Sequence, residues 1–536
     1  MKKTLLAFFF MSICLLPFTN SGSAQTATTN PKDFYKISKD NLKDKIMGGW
    51  AGKMIGVTYG APTEFKAQGT LFTDSIRWKP SDIKGSMWQD DLYVQLTFLM
   101  SMDKYGIDAP GKKFQEMFAK AGYQLWHANM QARKNYYDSI FAPASGSPEF
   151  NLHADDIDFQ IEADYIGFMC PGMPQTASKI ACKIGHIMNY GNGVYGGIFV
   201  AALYSEAYFD SDIQKIVEKG LRSIPAESDY AKIVKDVIKL HQQYPADWNA
   251  SWKELEAKWG ADHICAAGSP FNIDATLNGA YIVMGLLYGD GDPIKTLEIT
   301  TRCGQDSDCN PSNALAVLGV IKGFSGLPKD MQEGIKAIGD SLFINTTYSF
   351  NSAVNSTYKY AVDLIAKDGG KVTDKEIMVK TQLPVASKAE VSFPNVVFDK
   401  TTSIFEKDKW TFKGNWTPLN KQSMYAEKAG DELEIGFSGT GISLTGNWFK
   451  DGGKADIYVD GKLHRTIDTY YDYANQQHTE SVWHIMNLQP GDHKVRLVVK
   501  GEKRPGSAGT KVYITQAIIF KTAPKKSEKH KFSFEN

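Results

Sequence analysis

Gly304-Gln305-Asp306-Ser307-Asp308-Cys309-Asn310-Pro311 sets two carboxylates in a glycine-led turn directly ahead of a helical stretch, in which Leu315, Leu318 and Ile321 recur on one face. Asn310 is a suitable N-cap and Pro311 suits the first helical position. Aspartates two apart in such a turn aim at one space. Asp90-Asp91 repeats the arrangement before Leu92, Leu96 and Leu99, and Asp155-Asp156-Ile157-Asp158 stands before the helical stretch 159–167. Capping of a helix N-terminus accounts for any one of these clusters taken alone. Three of them in apolar surroundings repel one another unless a cation or shared protons hold them. Oxygen ligands of this kind suit hard divalent ions, and the calcium-loop spacing of an EF-hand is absent. The chemistry to expect is metal-assisted hydrolysis.

Upstream, Gly48, Gly52, Gly56 and Gly60 recur every fourth residue and share one helical face, where a second backbone can come close. Gly60 and Pro62 end that helix and present Glu64 in a loop.

The texture from 34 to 366 is helical, with Val200, Leu203 and Ala207 marking another face, and strand-like alternation is sparse. This predicts an all-α domain. Residues 367–394 are mixed, carry Gly369-Gly370 and Pro384, and read as a linker. From 395 to 520 short alternating runs take over: 432–445, 454–459, 462–467, 494–499 and 511–520. Asp460-Gly461 is a two-residue hairpin signal and Pro490-Gly491 a second turn. These predict an all-β sandwich; with Leu488-Gln-Pro-Gly-Asp-His493 leading into a strand, it resembles jelly-roll, galactose-binding-like modules. Residues 521–536 form a basic tail expected to lack order.

The 536 residues suffice for two or three domains. Sixty basic and sixty acidic residues cancel, so nothing points to nucleic acid or an anionic membrane surface. Residues 1–24 read as a signal peptide: Lys2-Lys3, an apolar run too short to favour a permanent membrane span, then Gly22-Ser23-Ala24 at the cleavage positions. Cys14 lies inside the apolar run, which argues against lipidation. Export to the periplasm or medium is expected. The five cysteines beyond that segment match no zinc spacing and are expected to be mostly buried and free.

Residues 41–330 resemble the ADP-ribosylglycohydrolase family, which includes the dinitrogenase reductase-activating glycohydrolases. The resemblance rests on the glycine-rich opening that ends in Gly60-Ala-Pro-Thr-Glu64, on Asp90-Asp91 opening a helix, and on Gly304-Gln-Asp-Ser-Asp308 before an alanine-rich helix. It implies an all-α fold with a binuclear Mg²⁺ or Mn²⁺ centre. Asp90, Asp91, Asp306 and Asp308 would be its ligands, and Glu64 would act beside it, on an ion through water or in proton transfer. The family has threonine before the aspartate pair and after the last aspartate, where this chain has Gln89 and Cys309. Gln89 still offers an oxygen to substrate; Cys309 is read as a neutral neighbour. Tyr190-Gly191-Asn192 is the nearest match to the family's His-Gly-Asp-like stretch, which makes Asn192 a substrate-binding candidate. Asp156 and Asp158 are candidates for the acidic group opposite the ions. His153 and His186 are read as structural.

The expected activity is hydrolysis of a glycan or furanoside by an exported enzyme. Hydrolysis of ADP-ribosyl conjugates is the second possibility, and a non-catalytic glycan-binding protein the third. The sandwich resembles carbohydrate-binding modules, and Trp448, Tyr470 and Tyr471 are its candidates for stacking on sugar faces. The partner expected is a carbohydrate, with no nucleic acid and no stable membrane span.

Overall fold

A computed structural model describes residues 33–261 and 263–523. The expected signal peptide and basic tail lie outside them. None of the described helices is long and apolar enough to cross a membrane.

The chain forms a helical domain followed by antiparallel sheets, as the sequence texture predicts. Its organising contact is between the opening helix Lys39–Gly60 and the helix Cys309–Lys322. Ser38 starts the first of these by accepting a hydrogen bond from the Asn41 N–H at 3.1 Å. Its glycine face then lies directly on the second backbone. A Cβ added at Gly48, Gly52, Gly56 or Gly60 would sit 2.1 Å from the Gly319 carbonyl oxygen, 2.5 Å from that of Leu315, 2.4 Å from that of Pro311 and 1.9 Å from that of Ser307. No side chain fits there. The ladder therefore sets the separation of the helices, and its last rung places the Ala61–Glu64 turn against Ser307 and Asp308.

The opposite face of the opening helix buries Ile46, Trp50 and Met54. Leu92, Leu96 and Leu99 are wholly buried on the helix Asp90–Tyr105; each such leucine stabilises the fold by about 1.5–3 kcal/mol. The helices Gly191–Ala207 and Ala275–Gly289 are apolar and buried nearly all round, so they run through the middle of the domain.

The segment read as a linker is partly ordered into the helical domain. Lys371–Val372 and Ile377–Lys380 join Phe34–Ile37 in a three-stranded sheet. Farther on, Ser392 Oγ donates to Asp155 Oδ1 at 2.7 Å, and Tyr195 OH donates to the Lys388 carbonyl at 3.1 Å. Short strand runs without clean alternation left this pairing invisible in the sequence.

Two sheets build the sandwich. One has strand order Lys462–Asp468, Lys454–Val459, Gly491–Val499, Glu432–Gly439, Trp410–Lys413; the other has His478–Ile485, Gly441–Trp448, Gln516–Thr522, Val396–Ser403. Leu433, Ile435, Leu444, Trp483, Val495 and Leu497 close the core between them. Asp460 and Gly461 take φ of 50° and 80°, as a tight hairpin turn requires. The run 432–445, expected as one strand, is two strands in different sheets, broken at Gly439-Thr440-Gly441. The run 511–520 is likewise split.

Candidate metal centre

The Asp306 turn is held by backbone and amide contacts, which leave one oxygen each of Asp306 and Asp308 without a partner. Gly304 takes φ +84°, and a Cβ there would meet the Ala67 carbonyl at 2.4 Å. Gln305, also left-handed, donates its N–H to Ala67 at 2.8 Å and accepts at its carbonyl from the Phe65 N–H at 3.1 Å. Asn278 Oδ1 accepts from the Asp306 N–H at 3.3 Å and from Asn310 Nδ2 at 2.8 Å. Thr63 and Ser307 hydroxyls meet at 2.7 Å, joining this turn to the Glu64 turn. Asp308, not Asn310, is the N-cap residue of the helix, since the Asn310 amide is engaged by Asn278. Yet the Asp308 side chain makes no capping hydrogen bond. Capping thus fails as an account of this aspartate.

One ligand atom each from Glu64, Asp306 and Asp308 lie within 4.8 Å of one another, and the same holds for Asp91, Asp308 and Cys309. Asp308 belongs to both groups and links them. Asp306 Oδ1 and Asp308 Oδ1 are buried without a hydrogen-bond partner. Asp90 opens its helix half-buried, with Oδ1 accepting from the Asp91 N–H at 3.1 Å. Gln89 precedes it, half-buried, and its side chain caps nothing. Asp91 is wholly buried. Lys53 Nζ reaches its Oδ1 at 2.7 Å, and the Cys309 thiol donates to its Oδ2 at 3.2 Å.

The helix Asp158–Glu162 supplies the facing wall. Asp158 Oδ1 accepts from the Asn129 N–H at 2.9 Å, and Glu162 Oε1 accepts from Asn129 Nδ2 at 2.5 Å. Their other oxygens, Asp158 Oδ2 and Glu162 Oε2, are buried and unpartnered. Glu162 escaped the sequence reading although it stands one helical turn from Asp158 on the same face. Lys53 escaped it too. Its ammonium, buried completely, also meets Asp164 Oδ2 at 3.2 Å and the Ile161 carbonyl at 2.8 Å. Burial alone would strip its proton, but the charges of Asp164 and Asp91 more than reverse that.

The electrostatic result is a crowd of carboxylates with Lys53 as its buried cation. Burial first, and then the charges of neighbouring carboxylates, pushes Asp90 up to about 6 and Asp158 up to about 8. Asp306 rises to about 7, chiefly by burial with Glu64 and Asp91 adding to it. Asp308 and Glu162 are held well above the ordinary carboxylate range for the same reasons. Buried, unpaired oxygens in this number and sign could hold a hard divalent cation. Cys309 does not spoil it: burial and the carboxylates keep its thiol protonated.

Asp156 lies beside this centre. Its Oδ2 meets His153 Nδ1 at 2.7 Å, and His127 Nδ1 stands 3.8 Å away. These three could approach one ion, but both His153 nitrogens are already engaged by carboxylates, the second by Glu480 of the sandwich at 2.8 Å. His186 bonds the Cys182 carbonyl and Glu390. The cysteines Cys170, Cys182, Cys265, Cys303 and Cys309 are free thiols.

Asn192 does not join the Asp306 group. Its N–H donates to Asp155 Oδ1 at 3.0 Å and its Oδ1 accepts from the Tyr230 N–H at 3.3 Å. It lines a separate cavity of about 350 Å³ together with Asp155, Asp156 and Asp274. Two of the sandwich candidates also move. Trp448 is 2% exposed and Tyr471 fully buried; both belong to the core of the helical domain, against which the sandwich docks. Tyr471 presents no face to a sugar; Trp448, though almost wholly covered, is among the residues lining the cavity of about 770 Å³ between the domains. Aromatic rings in a run of short strands look alike in sequence whether they face water or a second domain. Tyr470 remains half-exposed. It lines the cavity of about 770 Å³ between the domains, beside Tyr473 and Arg504.

The helical domain thus brings acidic turns from distant parts of the chain together. A sequence model of the ADP-ribosylglycohydrolase family matches residues 38–354, and the chain belongs to that family, whose members cleave glycosidic bonds. It is also 29% identical over 108 residues to an A type blood alpha-D-galactosamine galactosaminidase of Flavonifractor plautii, a match covering 19% of this chain and 10% of that protein. It is 30% identical over 134 residues to an A type blood N-acetyl-alpha-D-galactosamine deacetylase of the same organism, covering 25% and 17%. The matches thus span less than a fifth of either relative's length. Among solved structures, an ADP-ribosylglycohydrolase-related protein complex aligns with 60% of this chain and 99% of its own at 13% identity, with a TM-score of 0.42.

Proposed function

We propose that the chain is an exported glycosidase that acts on a glycan or furanoside and requires Mg²⁺ or Mn²⁺, two ions in the filled site. The observation that carries this reading is the convergence of unpartnered, buried carboxylate oxygens on Asp306, Asp308, Asp158 and Glu162 around the Asp90-Asp91 helix start. Asp90, Asp91, Asp306 and Asp308 would hold the ions, which supply Lewis acidity toward a sugar diol and a water. Glu64, exposed beside Asp306 and Asp308, would orient the attacking water. Asp158, held near 8, carries a proton at neutral pH and can hand it to the leaving oxygen. Asp156, fixed by His153, holds negative charge close to the sugar as positive character develops there. Gln89, with an uncommitted amide beside Asp90, takes a sugar hydroxyl. Tyr470 offers the remaining exposed ring for a longer glycan. The matches to two proteins named for galactosamine chemistry support a glycan substrate, and the reading of residues 1–24 as a signal peptide supports export.

The test is a panel of nitrophenyl glycosides and oligosaccharides, assayed with Mn²⁺, with Mg²⁺ and after exhaustive chelation. Turnover that disappears with chelator and returns with either ion is expected. Undiminished turnover in chelator would remove the ion from the reading. The family match favours a second substrate class, ADP-ribosyl conjugates, and the same assay run on ADP-ribosylated peptide separates the two.

Ion binding is expected to release protons. Asp306 holds its proton near neutrality when no ion is present and Asp308 is held well above the ordinary carboxylate range, and an ion that they bind must displace those protons. Mn²⁺ affinity should therefore weaken as pH falls below about 7. Titration calorimetry in buffers of differing ionisation enthalpy reads the proton count directly; a buffer-independent heat at pH 7 would contradict it.

A further inference from the structure

Glu480 lies on the strand His478–Ile485, in the sandwich, far from the helical domain in sequence. Its carboxylate nonetheless ends inside that domain. Oε1 meets His153 Nε2 at 2.8 Å and accepts from the Ser481 N–H at 2.9 Å, while His153 Nδ1 meets Asp156 Oδ2 at 2.7 Å. The carboxylate–imidazole–carboxylate chain is largely buried: His153 is 3% exposed, Asp156 2% and the Glu480 side chain 11%. Just before this strand, Gln476 brackets a second segment of the same wall. Its Oε1 accepts from the Leu125 N–H at 3.2 Å and its Nε2 donates to the Leu125 carbonyl at 2.5 Å. Two residues on, His127 takes a left-handed φ of 45° with its ring edge-on to His153 and 3.8 Å from Asp156. The helix that starts at His127 then gives Asn129, whose N–H and amide hold Asp158 and Glu162. Everything the sandwich touches here leads, in one step or two, to the carboxylates facing the metal centre.

We propose that the β-sandwich is a working part of the active site, with Glu480 and Gln476 as positioning residues: Glu480 locks the His153 ring and through it the orientation of Asp156, and Gln476 fixes the backbone that presents His127 and Asn129. The inference rests on the glycosidase reading only for the identity of the reaction. It differs from a carbohydrate-binding module tethered beside an enzyme, because such a module raises local substrate concentration and leaves kcat alone. A positioning residue moves kcat, since a small displacement of a catalytic group costs about a hundredfold.

The experiment compares Glu480→Gln, Glu480→Ala and Gln476→Ala with Arg465→Ala in the full chain. Arg465 also crosses the interface, to the carbonyl and carboxylate of Glu149, but leads to none of the site carboxylates. Two readouts are used: Mn²⁺-supported hydrolysis of whichever nitrophenyl glycoside the wild type cleaves, and histidine ¹⁵N spectra of selectively labelled protein. Glu480→Ala should lower kcat about tenfold to a hundredfold with KM within about twofold, and Glu480→Gln, which keeps a hydrogen-bond acceptor, should recover part of that loss. The His153 ring signals should shift in both Glu480 variants. Arg465→Ala should lower the melting temperature without changing kcat or the His153 signals. Glu480 variants with wild-type kcat, or loss of kcat in all four variants in proportion to lost melting temperature, would overturn the proposal. If the wild type cleaves none of the glycosides, the functional reading falls separately. The spectra and the hydrogen-exchange rates of segments 125–129 and 153–158 then decide: acceleration confined to the Glu480 and Gln476 variants supports positioning, and acceleration equal to that in Arg465→Ala refutes it.

Discussion

Asp308→Asn is expected to abolish turnover, by about a thousandfold or more, while raising the melting temperature of the chelator-treated protein. The two effects have one cause. Asp308 shares both three-residue groups of the centre, and its Oδ1 is buried with no hydrogen-bond partner. Such an oxygen costs stability in the bare protein, and natural chains keep such costs where function requires them. Asparagine removes a titratable carboxyl from the crowd formed with Asp306, Asp90 and Asp91, and nearly preserves the shape. It also removes an anionic ligand that links the two groups.

The pH dependence gives the sign independently. Asp306, Asp308 and Asp158 have folded-state pKa values raised above the unfolded carboxylate value of about 4. At pH between those limits the native state holds more protons than the unfolded state. Chelated wild-type protein should therefore gain stability as pH falls from about 8 toward 5, and Asp308→Asn should show a shallower gain. With saturating Mn²⁺ the order reverses, and wild type should melt higher than the variant. Calorimetric scans at pH 8 and pH 5.5, with and without Mn²⁺, read all four conditions. A variant less stable than wild type in chelator would show that Asp308 is structural rather than a ligand.

Local signals told most about this site. Gly304-Gln-Asp-Ser-Asp308 and Asp90-Asp91 are contiguous, and the glycine ladder told how one reaches Glu64, because four glycines on one face have few uses besides close backbone contact. What the sequence hid was every partner recruited through tertiary packing. Lys53 sits between Gly52 and Met54 in a buried helix, where a lone lysine carries no marker of its partners. Asn278 is an ordinary asparagine until the turn at 304–310 wraps round it. Asn192 matched by local similarity, yet its helix start faces Asp155, one step removed from the metal centre. Trp448 and Tyr471 were read correctly as large rings on a β domain and wrongly as surface, since nothing local distinguishes water from a docking partner. Glu480 is the extreme case: its role depends on the relative placement of two domains, which no periodicity encodes.

Lys53→Met is expected to cost about 3–5 kcal/mol of folding stability, enough to leave much of the protein insoluble or unfolded at 37 °C. Methionine is nearly the volume of the lysine stem, so the loss does not come from a cavity. It comes from the carboxylates left behind. Asp91 and Asp164 are both wholly buried, and Lys53 Nζ lies 2.7 Å and 3.2 Å from their oxygens. Asp164 keeps hydrogen bonds from Tyr204 OH at 2.6 Å and Asn313 Nδ2 at 3.1 Å, whereas among the described residues Asp91 keeps only the Cys309 thiol as a side-chain donor to its carboxylate. The Ile161 carbonyl loses its 2.8 Å donor as well. Adding Asp164→Asn removes one stranded charge and retains the shape, so the double variant should recover a substantial part of the loss, with a coupling of about 1–3 kcal/mol in the mutant cycle. The single variant's deficit should shrink toward pH 5, where Asp164, already raised by burial, takes a proton in place of the ammonium. Wild-type Lys53 stays charged across that range, so this trend, measured as the difference from wild type at each pH, belongs to the variant. Urea unfolding of the four proteins in chelator, at pH 5 and pH 8, measures each quantity. Additive single losses with no pH dependence would show that Lys53 acts through packing, and that the charge balance under the metal centre is set elsewhere.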